Sequence, residues 1–202
     1  KMQDLINQSM QGISALGTVY CIHFLEICAG SAVLTTAVRM AKLTTYDPID
    51  LNTGWDLTKR NTVRRVKEVI REHRPLLTHI APCCRIFSQA FHPPMLPQYY
   101  VQLDSYKDAM TLAINCCGIA NYIADLQLFV SIENPWRSRI FKLSCYMKLK
   151  MRSGFFYIML NMCMYGLRHS ASGLLIQKGI CLLSNAFFLI PLGVLCSRNH
   201  RH

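Results

Sequence analysis

A pair of cysteines directly follows a proline in Pro82-Cys83-Cys84-Arg85, at the end of the apolar run 76–81. Thiols placed just beyond a strand and beside a rigid residue sit at the rim of a sheet, where a nearby positive group can stabilise a thiolate nucleophile. A second apolar run, 126–132, ends in Glu133-Asn134-Pro135. A carboxyl group partly buried at such an edge keeps its proton to higher pH and can act as an acid. Near the start of the chain, Glu26-Ile27-Cys28-Ala29-Gly30-Ser31 puts an acidic residue near the end of a strand and small residues in the following turn. Such a turn lets the backbone of Cys28, Ala29, Gly30 and Ser31 approach a bound cofactor closely, although a tight strand-to-helix turn needs glycine with or without a ligand. Asp50, at the end of a further run, can accept hydrogen bonds from both hydroxyls of a ribose, and Asp56 follows within Gly54-Trp55-Asp56-Leu57. Either aspartate reads equally well as a helix cap or turn residue.

Positioning these groups requires a sheet whose strand ends converge. Periodicity predicts strands over 19–28, 45–51, 76–81 and 126–132, and helices over 32–41, 62–73 and 104–124. In the helix over 62–73, Val63, Val66 and Ile70 share one face. Strands alternating with helices predict an α/β fold, Rossmann-like, with a mainly parallel sheet and helices on both faces, binding ligands beyond the carboxyl ends of the strands. Pro93, Pro94 and Pro97 exclude regular structure over 92–98. The 202 residues are enough for one domain, read as an N-terminal extension (1–18), a part carrying the candidate motifs (19–135) and a basic C-terminal part (136–202).

Together, the motifs over 24–135 resemble those of DNA cytosine-5 methyltransferases, within the class I S-adenosylmethionine-dependent methyltransferases. Residues 26–34 resemble the cofactor loop, Asp50 the ribose carboxylate and Asp56 the adenine-side acid. Pro82-Cys83-Cys84 resembles the Pro-Pro-Cys nucleophile loop, and Glu133-Asn134-Pro135 the Glu-Asn motif. The resemblance implies a methyltransferase fold, S-adenosylmethionine as cofactor, and cytosine in DNA as the target, flipped out of its duplex. It implies that Glu26, Cys28, Ala29, Gly30, Ser31, Asp50, Asp56 and Pro82 form the cofactor side. Cys84 would add to carbon 6 of the ring, Glu133 would hydrogen-bond N3 and the exocyclic amine, and Asn134 would hold the loop. Three positions depart from the pattern: Ala32 replaces a glycine, Cys83 the second proline, and Arg85 a glutamine. No Gln-x-Arg-x-Arg segment follows Glu133, and 67 residues follow Pro135. These departures favour the alternative of a nucleic-acid-binding remnant of the fold without turnover.

Charge gives a second line of argument. The formal charge is +11, yet all 11 acidic residues lie at or before Glu133, and ten Lys and Arg follow it with no acid among them. A surface of that kind favours a polyanion, and nucleic acid, DNA in particular, is the expected partner; no obligate protein partner is expected. Arg85, Arg137, Arg139 and Lys142 are the candidate phosphate contacts, with Trp136, Phe141 and Tyr146 interleaved for base stacking. The basic helix containing Lys59, Arg60, Arg64, Arg65, Lys67, Arg71 and Arg74 is interrupted by Glu68 and Glu72, so a solvated face is the leading reading there. Ten cysteines in a chain of this length and apolarity (51% hydrophobic) predict reduced thiols and an intracellular location. The first 14 residues do not resemble a signal peptide.

The remaining candidates are weaker. Cys196, His200 and His202 have metal-ligand side chains that Cys163 or Cys181 would complete, but the spacing matches no strong zinc signature and no metal is expected. Cys116 and Cys117 read as core, and Met159, Met162 and Met164 as core filler for a later strand. Residues 180–196 are the best membrane candidate, but Ser184, Asn185 and Pro191 interrupt them. A buried strand and helix is the preferred reading there, with a membrane-associated protein as the third alternative.

Overall fold

The computed structural model describes residues 19–88 and 104–202. The N-terminal extension over 1–18 and the proline-rich loop over 92–98 lie outside these residues. Five strands, β1 (Ile22–Ile27), β2 (Pro75–Ile80), β3 (Phe129–Pro135), β4 (Phe156–Asn161) and β5 (Gly179–Ser184), form one sheet in the order β1-β2-β3-β5-β4. β1, β2 and β3 pair in parallel, and β5 runs antiparallel to both β3 and β4. The α-helices among the described residues are α1 (Val33–Met40), α2 (Arg60–His73), α3 (Asp104–Asp125) and α4 (Ser144–Met151). The chain is therefore α/β with a mixed, mostly parallel sheet, as alternation of the predicted elements implied.

Alternating side chains divide the sheet into two faces. Leu25 and Ile27 of β1 and Val130 and Ile132 of β3 join the main core with Val66 and Ile70 of α2, Ile119 and Ile123 of α3, and Tyr146 and Leu149 of α4. Cys116 and Cys117 lie in this core, fully buried, as expected. The other face of β1 carries Glu26, against which α1 docks through Thr35. Leu76, Phe129 and Ala186 form a smaller cluster, and Ile158, Leu160, Ile180 and Leu182 another on the β4–β5 hairpin.

Helix α2 ends at His73, capped by Arg74, which takes a left-handed φ of 37° with its N–H on Ile70 O; Pro75, which cannot continue the helix, is the first residue of β2. Its basic residues include Arg65, stacked over the Trp55 ring at 4.5 Å, and Arg64, in an i,i+4 pair with Glu68. A solvated, partly paired face accounts for both.

Several expectations need correction. The strand predicted over 45–51 reduces to two parallel bridges, Phe24 to Thr45 and Ile27 to Ile49, with Asp47-Pro48 between them. Proline has no N–H for the ladder, and Asp50 then opens a short 3-10 turn, Leu51–Thr53. Residues 180–196 fold as most of β5 followed by a 3-10 segment, Phe187–Leu192, that contains Pro191, so the helix expected there is a 3-10 segment. Among the described residues no helix is long and apolar enough to cross a membrane. Met159 and Met164 are exposed rather than core filler, because Met159 points outward from edge strand β4 and Met164 lies in the 3-10 turn beyond it.

Candidate active site

Strand β1 stops at Ile27, and Cys28 turns left-handed (φ 58°) as its N–H donates to Ile49 O at 2.8 Å. Gly30 (φ 53°) and Ala32 (φ 52°) are left-handed too, and Ala32 N–H donates to Ala29 O at 2.8 Å, closing the turn that starts α1. Thr35, in the first turn of α1, donates both its backbone N–H and its hydroxyl to one Glu26 carboxylate oxygen. Glu26 is thus buried, with its carboxylate committed to the base of α1. It does not face the cleft, and its expected cofactor contact is replaced by a structural role: anchoring the loop that does.

Asp50 combines the two readings open to it. One carboxylate oxygen accepts the N–H of Asn52 (2.9 Å) as a cap, and the other accepts the N–H of Gly30 (2.9 Å) across the turn. Asp56 accepts the Thr58 N–H (3.0 Å) and hydroxyl (2.6 Å). The Thr58 hydroxyl is the main reason its carboxyl is held below the usual range, the backbone N–H adding to it and Lys59 contributing attraction. Both aspartates line a cleft of about 350 Å³, together with Cys28, Gly30, Trp55 and Cys83. The cleft lies beyond the carboxyl ends of β1 and β2, where open α/β sheets hold ligands. Of the expected cofactor set, Cys28, Gly30, Asp50 and Asp56 line it. Ala29, Ser31 and Pro82 belong to the surrounding loops and do not line it.

Past β2, Pro82 is buried and its carbonyl accepts the Asn134 side-chain N–H at 2.9 Å. Asn134 also accepts the Ser138 hydroxyl at 2.6 Å, while Arg139 N–H donates to Phe87 O at 2.9 Å. Buried Asn134 therefore ties the thiol loop to the turn after β3, which is the loop-holding role expected of it; it acts by positioning its neighbours. Phe87 and Ser88 N–H groups close back onto Cys84 O.

Cys83 is exposed and lines the cleft, whereas Cys84 is half-buried, does not line it, and feels the charges of Glu133 and Lys178. Burial pushes the Cys84 thiol up, Cys83 and Glu133 push it further, and Lys178 pulls it down. Burial likewise raises the Glu133 carboxyl, again opposed by Lys178. Thiol, carboxyl and ammonium thus form one electrostatic group. Lys178 was not among the sequence candidates, because 45 residues separate it from Glu133. The signal lies in the pairing: β5 runs back along β3 with Pro135 opposite Ile180, so the residues just before β5 arrive at the end of β3.

Arg85, Arg137, Arg139 and Lys142 are exposed. Arg139 and Lys142 border a second cavity of about 220 Å³ with Phe87, Tyr106 and Met110, adjoining the thiol loop. The aromatic residues placed among the basic ones behave differently from expectation. Tyr146 is fully buried and donates to Ala113 O (2.9 Å), and Phe141 packs edge-on against it at 6.2 Å, so both belong to the core. Trp136 alone of the three keeps substantial exposure, 39%.

No protein-family model matches the chain, and neither does any curated protein.

Proposed function

We propose that the chain is a diverged S-adenosylmethionine-dependent methyltransferase-like protein, with a Rossmann-like methyltransferase fold, acting on cytosine in DNA through a cysteine thiolate. The observation that carries this reading is the shared cleft: Gly30 after β1, and Asp50 and Asp56 from the stretch 50–58, meet Cys83 of the thiol loop around one space. Its volume of about 350 Å³ is within the range of small-molecule sites. The donor set suits a nucleoside cofactor. Each Asp50 oxygen holds one backbone N–H and keeps a further lone pair for a ribose hydroxyl, and Trp55 offers an apolar wall to a purine. S-adenosylmethionine, when bound, supplies an electrophilic methyl group.

The protein's own residues do the rest. Cys84, as thiolate, adds to carbon 6 of the base and makes carbon 5 nucleophilic. Glu133, whose burial favours its protonated form, donates to N3 and accepts from the exocyclic amine, stabilising charge that collects on the ring. Lys178 favours the thiolate. Arg139 and Lys142, beside the thiol loop, are suited to the phosphates flanking an extruded base.

A second reading, a nucleic-acid-binding remnant without turnover, is supported by the raised Cys84 thiol and by the left-handed backbone at Ala32. Two measurements separate the readings. Calorimetric titration with S-adenosylmethionine should give heat with the wild type and at least tenfold weaker binding in Asp50→Ala; no heat with the wild type overturns the cofactor assignment. DNA carrying 5-fluorocytosine should form a covalent adduct that Cys84→Ser abolishes. An adduct kept in Cys84→Ser but lost in Cys83→Ser would transfer the role to Cys83, and DNA binding with no adduct at all would establish the second reading.

A further inference from the structure

Cys163 and three side chains from a C-terminal segment more than thirty residues away converge at the end of β4. Cys163 lies in the 3-10 turn Met162–Tyr165 that follows the strand and is 4% exposed. Asn161, the last residue of β4, fastens the C-terminal segment beside it. Its N–H donates to Val194 O (3.0 Å), and its side-chain oxygen accepts the Cys196 N–H (2.8 Å). Arg198 then takes a left-handed φ of 62°, and its N–H donates to Cys196 Sγ at 3.3 Å. The reversal returns His200 and His202 to the same sulfur, with Nε2 atoms at 3.6 and 3.4 Å. All four ligand atoms, two sulfurs and two nitrogens, lie within 4.8 Å of one another.

A neutral ring can donate its Nε2–H to the Cys196 sulfur, so hydrogen bonds account for each histidine contact taken singly. The set as a whole, two sulfurs and two ring nitrogens gathered in one space, is the donor set of a tetrahedral zinc site. In a tetrahedral zinc site, Zn–S of about 2.3 Å and Zn–N of about 2.0–2.1 Å imply S···N edges of about 3.5 Å, which the two Cys196–histidine distances bracket.

We propose that Cys163, Cys196, His200 and His202 hold one structural zinc ion. Binding releases the two thiol protons, and the two thiolates balance the charge of the metal, so the basic C-terminal part gains no net charge. Four protein ligands fill the tetrahedron and leave no open position for a substrate, which makes the site structural. Its effect is to tie the end of the chain to the end of β4. Cys181 is excluded: it is buried on β5, its thiol pushed up to about 11 by burial, and it stands outside the cluster. The assignment is independent of the proposed methyltransferase activity.

Metal analysis of the full, tag-free chain after dialysis should find one zinc per chain. Cys196→Ser and His202→Asn should each lose the metal, and Cys181→Ser should keep it. Asn161→Ala, which removes the clamp on Cys196, should weaken zinc binding about 10–100-fold. Cobalt(II) replacing zinc should give the intense visible absorption of a tetrahedral site with thiolate charge transfer. Should Cys163→Ser fail to fold, His202→Asn, at an exposed position, still decides the matter. A wild type that neither retains zinc nor takes it up overturns the proposal, as does zinc undiminished in both Cys196→Ser and His202→Asn, or an octahedral cobalt spectrum.

Discussion

The balance between Cys84, Glu133 and Lys178 sets what the thiol can do. Burial favours the neutral thiol, and the ammonium of Lys178 opposes that. Replacing Lys178 by Met should therefore move the pH dependence of 5-fluorocytosine adduct formation toward higher pH, while Lys178→Arg should hold it near the wild-type position. An unchanged profile in Lys178→Met would remove Lys178 from the site. Ala32 presents a different local problem. Its φ of 52° suits glycine, the residue that the resemblance expected there, and a left-handed non-glycine residue costs about 1 kcal/mol. Ala32→Gly should raise the unfolding temperature by about 2–4 °C. A decrease would mean that the Ala32 methyl makes packing contacts worth more than the backbone strain. The nature of Ala32 and its place after Ser31 were legible in the sequence, whereas its backbone conformation was not, because φ is imposed by the turn from Ala29 and not by alanine itself.

Among the elements, β2 is an interior strand, paired on both sides by β1 and β3. His79, within it, has a ring nitrogen 2.8 Å from the Ser131 hydroxyl, and burial lowers its pKa from 6.5 to about 4. The folded state therefore keeps this ring neutral where an unfolded chain would protonate it. Its contribution to stability is complete above pH 6.5 and is lost as the pH falls toward 4, with a slope of at most about 1.4 kcal/mol per pH unit. Glu133, shifted upward, contributes in the opposite direction, so the comparison must be made within one position. Urea midpoints at pH 7 and pH 5 should separate more for the wild type than for His79→Gln; equal separations would refute the assignment. The strands and helices that carry the thiol loop and the Glu-Asn turn were legible from apolar runs and spacing, to within a few residues at each end. The segment over 45–51 was not, since its apolar pattern suits a strand while Pro48 denies the ladder a donor. The fate of Glu26 was equally hidden: its partner Thr35 is nine residues away on a helix whose docking face only the fold determines.

At the scale of the molecule, charge and topology meet. The ten basic residues after Glu133 belong to the segment after β3, α4 and its C-cap, the β4–β5 connection and the C-terminal segment; Arg139 and Lys142 border the cavity beside the thiol loop, and Arg198 and Arg201 lie among the metal-cluster residues. If Arg139 and Lys142 contact phosphates, the logarithm of DNA affinity should fall linearly with the logarithm of salt concentration, and replacing both by Gln should reduce the slope by up to about 2. A slope unaffected by the pair would place the DNA elsewhere. The sequence showed this segregation of charge plainly. It did not show the convergence at Cys163, because nothing in a spacing of 33 residues to Cys196 indicates that Asn161 will hold the two together.

Strand order also carries a consequence for how the chain is made. β5 lies between β3 and β4 although it follows β4 in the chain. A ribosome delivering the chain in order presents β3 with an unpaired edge, and β4 with no sheet to join, until residue 184 has emerged. The half-built sheet is then an open template for pairing with other chains, a recognised route to aggregation. The strand that follows β4 is thus the one that closes the gap, and a nascent chain stalled before it is the species most in need of a chaperone.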